Sequence, residues 1–301
     1  MKRAGVVAML LVLAVPAWAK GWDPMDYTLR LNAYGTSDAF PGSLASAPDK
    51  GLDPSLELGS NNRFLKVYKV GVNASVGGHV QQQFANANYL WYGLGTDVRR
   101  GANVFTLDAE YIPQRNKFPA DPEEGGAFHR WQGIAGVRRT LGTRLKLRVE
   151  GTFDHEVFAD SVNRLRDARG RELFAQMVFS PVKTLDLRVE GSLAHDRTVS
   201  IKYRKGSRWL GAGLVRTSHG WRSDLAVRSG TRRYDEAVLG DSNFKRRDQW
   251  LELRARVTRE LKPGLVAAIG ATFTDQTSSR IDRNYDAHQV SFGLEWSGGG
   301  K

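Results

Sequence analysis

The stretch Leu145-Lys146-Leu147-Arg148-Val149-Glu150-Gly151-Thr152-Phe153 alternates without a break. Odd positions are apolar or Gly, and even positions are charged or polar. Successive side chains of a β-strand point to opposite faces, so this text predicts a strand with one apolar and one wet face. Almost the same text returns at Leu185-Asp186-Leu187-Arg188-Val189-Glu190-Gly191-Ser192-Leu193, and each copy rises from a short turn. A third version is Leu251-Glu252-Leu253-Arg254-Ala255-Arg256-Val257.

Followed along the chain, the same period predicts twelve strands. They fall near 64–77, 88–98, 103–113, 128–140, 144–154, 172–180, 184–194, 208–217, 221–229, 248–258, 264–274 and 287–296. Short turns such as Leu141-Gly142-Thr143 and Ser218-His219-Gly220 follow every second strand. Long polar loops, at 114–127, 155–171, 195–207, 230–247 and 275–286, follow the others. Strands of about ten residues suit a tilted membrane crossing. In lipid every backbone polar group needs a partner, so such strands must close into a barrel.

The amino terminus reads as an address. Lys2 and Arg3 precede an apolar run from Ala4 to Ala14, Pro16 breaks it, and Ala17-Trp18-Ala19 offers a small-x-small cleavage pattern. The run is too short for a spanning helix and predicts a secretory signal peptide over 1–19. No cysteine follows the cleavage point, so a lipoprotein anchor is not expected.

Together, signal peptide, loop rhythm and the last strand, His288-Gln289-Val290-Ser291-Phe292-Gly293-Leu294-Glu295-Trp296, resemble the Gram-negative outer-membrane β-barrels of porin-like kind. The resemblance implies an all-β, transmembrane, antiparallel up-and-down barrel in the cell outer membrane. It also implies a terminal strand read by the barrel-assembly machinery, and contact with outer-membrane lipid and lipopolysaccharide. Such chains usually end on their last aromatic, whereas Ser297-Gly298-Gly299-Gly300-Lys301 follows here. Residues 297–301 are therefore expected to be a short flexible tail.

Residues 20–63 fit the rhythm poorly. Tyr27 to Tyr34 alternates once, and then Pro41, Pro48, Gly51 and Pro54 intervene. This segment is expected in the periplasm or inside the lumen, with 64–296 as the barrel. The alternative is that 27–34 and a strand near 55–60 make the count fourteen. Within 208–217, Leu210, Ala212 and Leu214 compete with Trp209, Gly211, Gly213 and Val215 for the lipid face.

The wet face is charged. It holds Lys69, Arg130, Arg138, Lys146, Arg148, Arg188, Arg222, Arg228, Arg254 and Arg256, against Asp97, Asp108, Glu110, Glu150, Asp186, Glu190, Asp224, Glu252 and Glu295. The candidate pore-lining set is Asp108, Glu110, Lys146, Arg148, Glu150, Arg188, Glu190, Glu252, Arg254 and Arg256. Arginine rows in a watery lumen would favour small anions or acidic sugars. Near-balanced charges would equally pair across neighbouring strands. The expected function is a passive channel for small polar or anionic solutes. A non-conducting barrel serving export, assembly or surface binding is the alternative.

Other chemistry finds little support. With no cysteine among 301 residues, disulfides and cysteine-held zinc or iron–sulfur centres are excluded. The six histidines lack helical metal-ligand spacing, so no metal and no cofactor is expected. Asp154-His155 and His195-Asp196 sit at expected outer strand ends, where a rim hydrolase would place such pairs. Ordinary loop residues look the same there, and no enzyme is expected. The formal charge of +12, or +10 once Lys2 and Arg3 are removed, suggests an anionic partner. Export argues against nucleic acid as that partner, and phosphate-bearing lipid is the better match for clusters such as Arg232-Arg233 and Lys245-Arg246-Arg247. A mean hydropathy of −0.42 argues only against a helical membrane protein.

Overall fold

A computed structural model describes residues 25–37, 48–64, 68–82, 88–116, 127–159, 163–200, 204–238, 241–279 and 284–299. The expected signal peptide lies outside these residues. Fourteen strands follow one another: β1 (Asp26–Thr36), β2 (Asp49–Phe64), β3 (Tyr68–Gln81), β4 (Tyr89–Arg100), β5 (Asn103–Asn116), β6 (Ala127–Leu141) and β7 (Leu145–Phe158), then β8 (Ala168–Val182), β9 (Leu185–Thr198), β10 (Lys205–Ser218), β11 (Trp221–Val238), β12 (Asp241–Lys262), β13 (Leu265–Ser278) and β14 (Tyr285–Gly299). Each pairs antiparallel with its sequence neighbours, and β1 pairs with β14 from Asp26↔Gly299 to Thr36↔Gln289. The sheet is closed and has no edge, so every strand has a hydrogen-bonded neighbour on both sides.

The count of twelve is corrected to the fourteen of the alternative, because residues 26–36 and 49–64 are wall strands. The second is hard to read because Pro54 interrupts the run. Pro54 has no N–H to give, and the ladder to β3 lapses at Asp53 and Pro54 between Leu52↔Val80 and Ser55↔Gly77. The carboxyl end differs too. Ser297, Gly298 and Gly299 are not a loose tail but pair with Thr28, Tyr27 and Asp26. The segment 230–247 is not a loop either: β11 and β12 continue through it as a hairpin, with the register shifting between Arg233 and Ala237. At about 3.4 Å per residue the 22 residues of β12 make roughly 75 Å. Even at a 45° tilt that exceeds a hydrocarbon core of about 30 Å, so the hairpin projects beyond it.

Both described chain ends lie with the short turns. The tightest is Ser218-His219-Gly220-Trp221, where φ is 51° at His219 and 76° at Gly220. Two positive φ values in a two-residue loop match the right-handed twist of the flanking strands. Gly264 (φ 79°) follows Pro263, the order a type II turn requires, and a Cβ there would stand 2.4 Å from the Ser297 carbonyl oxygen.

Register settles the two faces. On β10, Leu210 pairs with Gly191 and Ser229, and Trp209 pairs with Ser192 and Gly230. Leu210 is 73% exposed and belongs with Leu193, Leu225 and Phe292 on the outward apolar face. Trp209 turns inward with Gly211, Gly213 and Val215. Gly230 makes the room, since a Cβ there would meet Trp209 and Trp250 at 2.7 Å. Aromatic rings border the apolar band at both ends. Tyr111 stacks on Trp131 with centroids 4.0 Å apart near the long loops. Near the short turns, Arg259 lies 4.8 Å over Trp221 and Arg100 lies 5.4 Å over Tyr68. Rings with one apolar side and one polar neighbour suit a membrane–water boundary.

Candidate functional site: the inner wall

Inward positions carry the charges the alternation assigned to them. Arg148 Nε donates to Glu150 at 2.5 Å, and Arg254 Nε lies 2.7 Å from Glu252. The densest group spans four strands. Glu190, whose side chain is 3% exposed, accepts from Arg228 at 2.7 Å and from Gln176 at 2.8 Å. Arg188 lies 3.5 Å from the same carboxylate and donates to Asp224 at 3.0 Å. Arg228 also packs 4.7 Å over the Trp209 ring. A carboxylate taken from water is tolerable only with such partners.

The remaining candidates are not all brought into this group. Asp108 and Glu110 lie on β5 and, with Glu57, Trp91 and Gln132, line a separate cavity of about 320 Å³. Lys146 and Arg256 are exposed on the inner face. Of the ten inward cations expected from sequence, Arg148, Arg188, Arg228 and Arg254 form ion pairs. Lys69, Arg130, Arg138, Lys146, Arg222 and Arg256 form none among the described residues. Of the nine inward acids, Asp97, Glu150, Glu190, Asp224, Glu252 and Glu295 are paired. Asp186 instead accepts from the Ser180 hydroxyl at 2.5 Å. Arg138 stands opposite Arg148 across β6 and β7. Like charges repel there, and Glu150 holds Arg148 while Arg138 stays in the open.

Three inward groups were missed because their strands were not recognised or were read as loop. Arg30 on β1 bridges Glu57 and Glu295 at 3.0 Å each, tying both neighbours across the closure. His79 Nδ1 lies 2.7 Å from Asp53 and Nε2 lies 3.1 Å from the Tyr34 hydroxyl. A carboxylate only accepts, so Nδ1 carries a hydrogen directed at Asp53. His79 is also stacked on Tyr34 and Tyr89. Toward the long loops, Asp248 is fully buried and accepts from Arg246 at 2.9 Å and from Ser278. Arg246 packs 4.2 Å over Tyr234. Burial works against the charge of Arg232 beside them, yet Tyr234 and Asp248 hold its pKa above the ordinary arginine value.

The suspected hydrolytic pairs do not form. Period two sends His155 and His195 outward and Asp154 and Asp196 inward, and Asp196 pairs with Lys205 at 3.3 Å. Neighbours in sequence on one strand cannot act on one substrate when the wall lies between them.

No family model and no curated protein matches the sequence. Solved structures do match in shape. A bacterial polysaccharide outer membrane secretin is similar over 90% of this chain and 97% of its own, at 14% identity and a TM-score of 0.52. OmpT of Vibrio cholerae, in its trimer form, is similar over 93% and 100%, at 8% identity and a TM-score of 0.54. The CymD monoaromatic hydrocarbon channel is similar over 97% and 92%, at 10% identity and a TM-score of 0.51. The chain has the outer-membrane β-barrel fold. At these identities the likeness is one of architecture, and chemistry has to be argued from this chain's own side chains.

Proposed function

We propose that the protein is a passive channel of a Gram-negative outer membrane, with its long loops outside, admitting small polar solutes and favouring anions. One observation carries the preference for anions. Inward acids are mostly held in ion pairs, whereas a group of inward cations, Lys69, Arg138, Lys146, Arg222 and Arg256 among them, forms none among the described residues. Lys69, Arg138, Lys146 and Arg222 stand within a few residues of the short turns. Uncompensated charge of one sign lining a watery passage raises the local concentration of the opposite ion. The candidate lining set, from Asp108 and Glu110 to Arg254 and Arg256, is read here as the wall of that passage. The fold likeness to a channel barrel supports conduction as the general class, and no enzymatic role is proposed.

Charge reversal at exposed inward cations tests this. In planar bilayers, the Arg138→Glu/Arg222→Glu double variant is expected to lower the anion-to-cation permeability ratio several-fold. An unchanged ratio in a folded, conducting variant would contradict the assignment. A second reading, an export component passing an acidic polymer, is favoured by the same cations and by the likeness to a polysaccharide secretin.

A further inference from the structure

The outward face is not uniform around the barrel. Arg171, His195, Gly206, Arg233 and Arg247 form one straight row across β8 to β12, each the register partner of the next. With strands about 4.8 Å apart, the row is roughly 19 Å wide. Arg208 stands in the row below, between Leu193 and Thr231. Arg169 and Arg197 face each other in the row above. All six arginines are exposed, and none forms an ion pair among the described residues. The acid that continues these rows, Asp235 two residues beyond Arg233, is itself paired with Lys245 at 3.7 Å. Across β13 and β14, by contrast, two acids, Asp275 and Asp286, are outward partners.

Below Arg208 the apolar wall is hollowed. Ala175 and Gly191 are register partners. Around them Leu173, Leu193, Met177 and Leu210 stand proud, and a groove of about 930 Å³ opens with Arg208 at its rim. A flat apolar wall would meet any acyl chain alike. A groove topped by a wide cationic row favours an amphiphile with several acyl chains and more than one phosphate on its head. A lipid with one phosphate would neutralise one or two of these arginines and leave the rest of the row unmatched.

The geometry points to a binding site for one multiply acylated, bisphosphorylated glycolipid on the outer wall between β7 and β12. Its acyl chains lie along the Ala175–Gly191 groove and its phosphates meet the arginine row. This inference rests on the proposed membrane placement, which puts the long-loop rim in the leaflet that carries phosphorylated glycolipid.

Native mass spectrometry of the full-length, detergent-solubilised barrel tests it, with bisphosphoryl lipid A, monophosphoryl lipid A and phosphatidylglycerol as probes. Bisphosphoryl lipid A is expected to bind at least tenfold tighter than phosphatidylglycerol, with the monophosphoryl form between them. The Arg171→Ala/Arg208→Ala/Arg233→Ala variant is expected to lose at least tenfold. Ala175→Phe, which fills the groove and keeps every charge, is expected to lose at least threefold. Arg100→Ala/Arg216→Ala at the opposite rim is expected to bind as wild type, and heat-modifiable gel mobility checks that each variant is folded. Equal binding of the three lipids would overturn the site, as would an equal loss in the opposite-rim variant or no retained lipid A. Bilayer recordings on the same samples separate the two readings. Lipid binding without conductance leaves the site standing and removes the channel, and conductance without lipid binding removes the site alone.

Discussion

Glu190 shows how one residue decides whether an inner wall is held or open. Its carboxylate is the shared acceptor for Arg228, Arg188 and Gln176 from three other positions of the wall. Neutralising it takes the nearest anion from Arg228 and leaves Arg188 with Asp224 alone, in a part-buried setting. Glu190→Gln is expected to destabilise the barrel by about 1.5–3 kcal/mol, the scale of a hydrogen bond to a charged group. A urea unfolding midpoint in lipid vesicles measures it. A variant as stable as wild type would mean that these arginines are satisfied by water. At this scale the sequence was informative: alternation alone set every residue from Lys146 to Glu150 on its observed face. It could not tell paired from unpaired charges, because pairing depends on which strands are neighbours and on rotamers that reach diagonally across them.

Turns and interruptions decide the elements. The hairpin between β10 and β11 holds His219 at a positive φ, which costs a residue with a Cβ about 1–2 kcal/mol and costs a β-branched residue more. His219→Val is expected to lower stability by about 1–2 kcal/mol in the same unfolding measurement, whereas His219→Gly should not lower it, because the relieved Cβ strain offsets glycine's greater unfolded-state freedom. Equal behaviour of the two variants would argue against this turn. The misread elements share one cause. Pro54 breaks the period of β2 although the chain stays extended, and without β2 the lone alternation of β1 looked like an odd strand. Gly, Asp and Arg through 230–247 read as loop, yet beyond the hydrocarbon a strand needs no apolar face. In both places the hydrogen-bonded neighbour, which a single sequence does not display, overrides the local pattern.

Fourteen strands enclose more space than the eight that side chains can fill, and the sequence divides the resulting surfaces by chemistry. Outward residues are apolar between two aromatic and arginine-bearing borders. Inward residues are ionic, with acids mostly tied and a group of cations near the short turns left without an ion pair among the described residues. The basic balance of the chain thus has two addresses: a surplus of unpaired cations inside, near the short turns, and an arginine row outside, near the long loops. Only the first bears on permeation. Its effect should be strongest at low ionic strength, because screening shortens to about 3 Å at 1 M salt. The most direct measurement is the zero-current potential of the purified barrel in a planar bilayer under a tenfold potassium chloride gradient. A conducting barrel whose potential has the sign of chloride permeation, falling toward zero as both concentrations rise, is the expected result. A folded barrel that does not conduct, or one whose potential has the sign of potassium permeation, would contradict the channel proposed here.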